Sequence, residues 1–302
     1  MIQEIVRPDL LGNFADISVG SFNEGKSYIR KTFGDKSGGF TELEAMDLAR
    51  LMIRFTSIAH NIGLPVPDLY GHYISNTRVV NNRTVLNQVQ KFSGNDVQYI
   101  TKNDKDPISA LRGYLNCFRI VADTDFQIAL DVHLANFCQS PDGEILYVDL
   151  MPPRQKLEDG TRFCVFPRPT VQLDDFFVDR IFSIEGQLPD MYSKMLRALA
   201  YNPHYNNPDT PFVVRDLLLM FFGVKYVDDM LTEVENFKRN STDAGPHDVN
   251  SIRIVAAENF FKNRLSIPQL EETYSLTHFS PQGEIPNTEN INRASQFVVS
   301  LI

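Results

Sequence analysis

The chain is poor in the residues that mark a special environment. It has no tryptophan and only three cysteines, Cys117, Cys138 and Cys164, in 302 residues. They are widely spaced and make no C-x-x-C pair, and so small an odd number builds no disulfide framework. A reduced, cytoplasmic compartment is therefore expected. There is no long uncharged apolar run. The most apolar stretch, roughly residues 212–227, contains Arg215, Asp216 and Lys225. It is too short and too charged to span a bilayer and reads as a buried helix, so no membrane partner is expected. The opening MIQEIVRPDLLGN lacks a basic segment followed by an apolar run, and no signal peptide is expected there. Basic charge is also in deficit, 29 Lys+Arg against 38 Asp+Glu, for a net charge of −9. That balance argues against duplex nucleic acid as a partner, while leaving room for a local basic pocket. No repeat of period 20–50 and no low-complexity tract is present. Among the histidines, His60, His72, His204, His247 and His278 form no pair at metal-ligand spacing, so no zinc site is expected.

What is present is an ordinary globular composition, 43% hydrophobic and 22% charged, at a length that buries a sizeable core in one large domain or two lobes. The first third reads as strands around one helix. Residues 15–22 and 27–33 are β-like runs, and Asn23-Glu24-Gly25 between them has hairpin-turn chemistry. Thr41 and Glu44 form a capping box, and the helix they open carries Leu48, Leu51, Phe55, Ile58 and Ile62 at spacings of three and four. Gly63–Pro67 ends it, and strands follow at 69–74 and 84–92. Beyond residue 107 the pattern turns helical: 108–122, 174–182, 190–201, 211–236 with Gly223 as a weak point, and 250–265. A short strand running into a loop is expected at 126–136, a strand at 145–150, and a loop after it. The simplest organisation is a small β-rich lobe, residues 1–92, followed by a larger α-rich lobe, residues 93–302. The fold class is α+β.

The most informative stretch is Ala129-Leu130-Asp131-Val132-His133-Leu134-Ala135-Asn136, with Asp149 closing an apolar strand thirteen residues further on. An Asp and an Asn five apart on a loop can face one cleft, and a strand-end Asp can join them. Hard oxygen ligands of this kind suit Mg²⁺, which keeps waters and phosphate oxygens as its other ligands. A carboxylate left off the metal can orient a hydroxyl and accept its proton.

D-x-H-x-x-N followed by a strand ending in Asp resembles the core of the aminoglycoside phosphotransferase and choline kinase group, which has the two-lobed protein-kinase-like fold. Tyr28-Ile29-Arg30-Lys31 resembles its phosphate-binding strand, and GLPVPDLYG and VLNQVQKFSG resemble its fourth strand and hinge. The likeness covers roughly residues 10–155. It implies an enzyme that uses ATP and Mg²⁺ to phosphorylate a hydroxyl of a small-molecule acceptor. Lys31 would hold the α- and β-phosphates and Glu44 would pair with it, with Glu42 and Asp47 as the other acids in reach. Gly12 would remain from a glycine-rich loop. Residues 89–92, with Gln90 and Phe92, would meet adenine through the backbone. Asp131 would be the catalytic carboxylate, and Asn136 and Asp149 would bind the metal. In that family His133 is mostly structural.

The sequence departs from the pattern. Ala129-Leu130 stands where His-Gly or His-Arg usually precedes the catalytic Asp, and no Gly follows Asp149. A degenerate, kinase-like binding or scaffold protein is thus a second reading. A third is a P-loop enzyme, since Gly20–Ser27 fits G-x-x-x-x-G-K-[ST] letter for letter; it requires a helix starting at the lysine. A fourth is a metallohydrolase using Asp131, His133 and Asp149. Glu44 is also explained as a capping acid alone, and Tyr226, Asp228, Asp229 and Glu233 as a solvated acidic face. The acceptor and the oligomeric state are not legible.

Overall fold

The computed structural model describes residues 4–6, 15–21, 27–34, 39–76, 83–91, 94–150, 154–156, 160, 162–164, 180–240, 244–278 and 286–302. The chain divides into two compact units, Met1–Gly94 with Cys138–Gln172 and Asn95–Phe137 with Leu173–Ile302. The first division falls two residues from the expected lobe boundary. Residues 138–172, expected in the second lobe, group with the first unit instead, because the segment around Tyr147 and Gln155 bonds to the helix and loop of that unit: Tyr147 N–H donates to Pro65 O at 2.9 Å and Gln155 Nε2 to Leu51 O at 3.1 Å.

The first unit is built on a five-stranded antiparallel sheet of β1 (Glu4–Val6), β2 (Ala15–Ser21), β3 (Ser27–Phe33), β4 (Leu69–Asn76) and β5 (Thr84–Lys91), in the order β1-β2-β3-β5-β4. One helix, α1 (Glu42–Asn61), covers part of it. Phe33 and Ile74 both lie opposite Leu86 in register, so the three share a face. They pack with Ala45, Leu48 and Met52 of α1. Each such large side chain contributes roughly 1.5–3 kcal/mol by burial. The predicted capping box is formed, Glu44 N–H to Thr41 Oγ1 at 3.2 Å and Thr41 N–H to Glu44 Oε2 at 2.7 Å. The buried face of α1 runs through Ala45, Leu48, Met52, Phe55 and Ala59, with Leu51, Ile58 and Ile62 half-buried on its flank. Short strands β6 (Phe137–Gln139) and β7 (Ile145–Tyr147) pair with each other, as do β8 (Arg154–Lys156) and β9 (Arg162–Cys164).

The second unit is helical: α2 (Val97–Asn103), α3 (Ile108–Asp123), α4 (Ile184–Ala200), α5 (Thr210–Phe222), α6 (Val224–Asn240), α7 (Val249–Phe261), α8 (Ile267–Leu276) and α9 (Thr288–Val299). α4 is the hub and packs against α2, α5, α6 and α7. α7 is buried along nearly its whole length, which its sequence VNSIRIVAAENFF permits because apolar residues occur on every side. Tyr114 and Phe118 of α3 pack edge-on with each other, ring centroids 5.1 Å apart, and Tyr114 meets Phe137 at 4.7 Å.

The α+β class and every strand read in the first third are present. The differences have local causes. The helix expected to begin at Asp190 begins at Ile184: Ser183 caps it, its hydroxyl accepting Gly186 N–H at 3.1 Å, and Pro189 is carried inside. The stretch read as one helix across Gly223 is two, because Gly223 takes φ 85° and ψ 169°, outside helical space. α2, α8, α9, β1, β6, β8 and β9 were not expected, the strand expected over 145–150 ends at Tyr147, and residues 126–136 form a loop closing in a 3₁₀ turn at Leu134–Asn136 rather than starting as a strand. The P-loop reading fails: Ser27–Phe33 is a strand paired with β2 and β5, where a phosphate cradle needs a helix. The hairpin turn at 23–25 and most of the helix expected at 174–182 lie outside the described residues. No helix among the described residues is long and apolar enough to cross a membrane.

Candidate functional site

Lys31 sits on β3, the central strand of the sheet, opposite Ile17 on one side and Gln88 on the other. Lys31 and Phe33, two positions apart and so on one face, are buried while Arg30 and Thr32 are half-buried, so the strand carries its lysine inward. Only 7% of Lys31 is exposed. A buried ammonium is costly unless it is paired and hydrogen-bonded. Here Nζ donates to Val148 O at 2.7 Å and lies 3.8 Å from Asp149 Oδ1. Asp149 is held by the strand before it. Tyr147 is tied to Pro65 through its backbone, and its ring stands 6.3 Å from that of Phe55 on α1. Thus Lys31 and Asp149, predicted from separate motifs, meet within the first unit.

Glu44 does not join them. Its carboxylate is exposed, closes the capping box with Thr41 and lies 3.9 Å from Arg83. Thr41's backbone N–H, and secondarily its side chain, hold the carboxyl below the usual range. The expected pairing of Glu44 with Lys31 is not formed, because the N-cap claims the same oxygens. Glu42 is exposed, and Asp47 pairs with Arg50 at 2.8 Å. The acid facing Lys31 is Asp149.

Gln90 is wholly buried on β5, two residues along the same face from Gln88, which is equally buried. Neither side-chain amide has a hydrogen-bond partner at either its oxygen or its nitrogen. An unpartnered buried amide costs roughly 1–3 kcal/mol. His72 Nε2, opposite Gln88 in register, is likewise unpartnered, and burial pushes its pKa down. Gly12 and Phe92 lie outside the described residues.

The second unit carries Asp131 and Asn136. Asp131 is half-buried, and its Oδ1 accepts the His133 N–H at 3.0 Å, an Asx turn that shapes the loop. Asn136 N–H donates to His133 O at 2.9 Å and closes the 3₁₀ turn. Two residues that sequence reasoning missed brace the loop from behind. Tyr114 Oη donates to Val132 O at 2.9 Å, and Gln187 Nε2 donates to Leu130 O at 3.1 Å and to Ile181 O at 2.8 Å. Their signal was present: Gln187 is a polar residue within the apolar turns of α4. They support the loop from helices.

A buried charge network, also missed, adjoins this loop. Asp190 pairs with Lys194 at 3.0 Å and with Arg253 at 3.5 Å. Burial opposes ionisation of Asp190, but Lys194 and Arg253 hold its carboxyl below the usual range. Arg253 also donates to Thr277 Oγ1 at 3.0 Å and to Thr277 O at 2.6 Å. His133 is pulled down to about 4, first by the Lys194 charge and then by desolvation, against the opposing pull of Asp131 and Asp190. It is a neutral imidazole at pH 7. Among the described residues, no three His, Cys, Asp or Glu side chains gather as a metal site, and the metallohydrolase reading has no centre there.

No protein-family model matches the chain, and no curated protein does. Solved structures do. A MAP kinase, LmaMPK10, from Leishmania major aligns with a TM-score of 0.41 and 11% identity, over 99% of this chain and 94% of that one. WaaP, solved in complex with acyl carrier protein, aligns with a TM-score of 0.40 and 15% identity, over 78% and 89%. Likenesses of this size carry nothing about substrate or activity.

Proposed function

We propose that the protein is an ATP- and Mg²⁺-dependent phosphotransferase of the aminoglycoside phosphotransferase and choline kinase type, acting in the cytoplasm on a hydroxyl of a small molecule. The observation that carries the reading is the buried Lys31, bonded to Val148 O and facing Asp149. A lysine on the five-stranded sheet and an aspartate two residues past β7, from distant parts of the chain, are the two charges that nucleotide phosphates and their metal require. The donor chemistry fits Mg²⁺: Asp149 and Asn136 offer hard oxygens, and Asp149 is partly open to solvent. A magnesium ion brought in with ATP would supply neutralisation of phosphate charge.

In this reading Lys31 exchanges part of its contact with Val148 O for a phosphate oxygen. Gln88 and Gln90 supply amide donors and acceptors to the nucleoside from the same sheet face. Asp131 orients the acceptor hydroxyl and takes its proton, while Tyr114 and Gln187 hold the loop in shape. His133, neutral at pH 7, adds no charge.

Asp131→Asn tests the assignment. ATP consumption with a panel of hydroxylated metabolites should fall by about 10²–10⁴-fold, with Mg·ATP affinity by calorimetry unchanged. Near wild-type turnover in the variant refutes the role of Asp131. One observation favours the alternative of a binding or scaffold protein: the acid expected to partner Lys31 from α1 is used for capping instead. That alternative predicts Mg·ATP binding at most, and no turnover with any acceptor.

A further inference from the structure

The buried charge network of the second unit borders the Asp131 loop. Gln187, Asp190 and Lys194 are spaced three and four apart, so they form one stripe along α4. Gln187 donates to Leu130 O at 3.1 Å, which sets the loop carrying Asp131 and His133 against that stripe. We propose that the acceptor is an anionic alcohol, a polyol phosphate in type, whose negative group is held by Lys194, His133 and His278 while its hydroxyl faces Asp131. The acceptor role rests on Asp131 being the carboxylate that takes the hydroxyl proton; the anion site does not.

Three observations point there. The first is the set of donors left over. An ammonium carries three, and among the described residues Asp190 Oδ2, at 3.0 Å, is the one hydrogen-bond partner of Lys194. The Lys194 side chain keeps 16% exposure. His133 and His278 are exposed, and among the described residues neither imidazole has a hydrogen-bond partner. The second is the sign of the field, in a chain that is acidic overall. At His133 the Lys194 charge is the largest influence, ahead of burial and of Asp131 and Asp190 taken singly. At His278 burial comes first, followed by Arg253, Lys194 and Arg197, and Asp190 is the acid that opposes them. Both imidazoles are thus held below their ordinary value and donate as neutral N–H groups, while Lys194 supplies the charge. The third is the arrangement. His133 stands two residues from Asp131, and Asp131 Oδ1 accepts its backbone N–H at 3.0 Å. Tyr114, bonded to Val132 O, feels the carboxylates of both Asp190 and Asp131. Arg253 is spent on Thr277, at 3.0 Å to Oγ1 and 2.6 Å to the carbonyl, and so fixes the backbone next to His278 rather than meeting a ligand. A phosphate monoester against one lysine and two N–H donors is held by charge-assisted hydrogen bonds, roughly twice as strong as neutral ones.

The test is an NMR titration of the whole protein, without nucleotide, with isotope-labelled histidine. Glycerol 3-phosphate is the probe, glycerol its neutral counterpart and aminopropanediol its cationic one. The phosphate probe should move the imidazole signals of His133 and His278 and saturate at millimolar concentration, and the two counterparts should not. Lys194→Met should weaken the probe by about 10-fold or more, the worth of one hydrogen bond to a charged group. His278→Glu reverses the charge at an exposed position and leaves Asp190 its partners, so it folds even where Lys194→Met does not; it should weaken the probe as well. Lys105→Met, an exposed lysine of the same unit, should change nothing. The anion site is overturned if the probe moves neither signal, if glycerol moves them equally, or if Lys105→Met weakens the probe as much as Lys194→Met does. An ATP-consumption screen then separates this inference from the reading beneath it. Neutral or cationic alcohols turned over as well as anionic ones overturn the acceptor class and leave the phosphotransferase intact. Anion binding with no turnover of any alcohol removes the phosphotransferase reading, and with it the acceptor role.

Discussion

At the scale of single residues, Glu44 and His133 show how one neighbour decides a role. Glu44 accepts from Thr41 N–H, so its oxygens belong to the start of α1 rather than to Lys31. Glu44→Gln should therefore leave Mg·ATP affinity and turnover within about twofold, because glutamine serves equally at this cap position. A collapse of nucleotide binding in that variant shows that the carboxylate reaches Lys31 after all. Thr41→Ala, by contrast, should lower stability by about 1 kcal/mol in a urea titration. For His133, exposed on the loop, the relevant neighbour is Lys194, whose charge pulls the imidazole down to about 4. An unfolded chain titrates its histidine near 6.5. Between those values the unfolded chain takes up a proton that the folded protein refuses, so stability falls as pH drops from about 6.5 toward 4 and is untouched above that window. His133→Gln should flatten this part of the melting-temperature profile between pH 7.5 and 5. An unchanged slope places the acid sensitivity elsewhere.

At the scale of elements, the N-terminal turns of α4 are the tightest join. A Cβ on Gly186 would run into the main chain of Arg180. Gly186→Ala should cost about 1–3 kcal/mol, read by calorimetric melting, because backbone cannot step aside as a flexible side chain would. The same turns show where sequence reading stops. The capping box at Thr41 and the strands at 15–21 and 27–33 were legible, since each depends on residues within a few positions of one another, whereas Gly223 read only as a weak point in one helix. The start of α4 was not legible. Pro189 reads as a boundary by local rule, and it is overridden by the Ser183 cap and by packing on α2, α5, α6 and α7. α9 was missed because its sequence is mostly polar, and only a stripe of Ile291, Ala294, Ser295 and Val298 is buried. For the candidate site, the residue types were legible and some of their partners were not. Lys31 and Asp149 stand 118 positions apart, and no spacing rule links them. Gln187 stands out as a polar residue in an apolar helix, but the carbonyls that it and Tyr114 brace carry no side-chain signal, so the contacts themselves are not legible.

At the scale of the whole molecule, the chain passes between its two units at three points, near residues 94, 137 and 172. Lys31 and Asp149 belong to one unit and Asp131 and Asn136 to the other. A ligand that binds the folded chain stabilises it by mass action. Mg·ATP at 100 times its dissociation constant should add about 2.7 kcal/mol, seen as a rise in melting temperature that Asp149→Ala abolishes. No shift with the unaltered protein removes the nucleotide-binding reading altogether. The net charge of −9 works against any polyanion on approach, so the metal complex rather than the bare nucleotide is the species to offer.

The bond from Lys31 to Val148 O has a consequence for how tightly and how fast an anion is captured. With Asp149 alongside, the ammonium presents no net charge at long range, and its best proton is already committed to a main-chain oxygen that no side-chain substitution removes. An incoming phosphate swaps one good contact for another. Its association should therefore gain no long-range pull from Lys31 at low ionic strength, unlike that of an enzyme whose lysine waits unopposed.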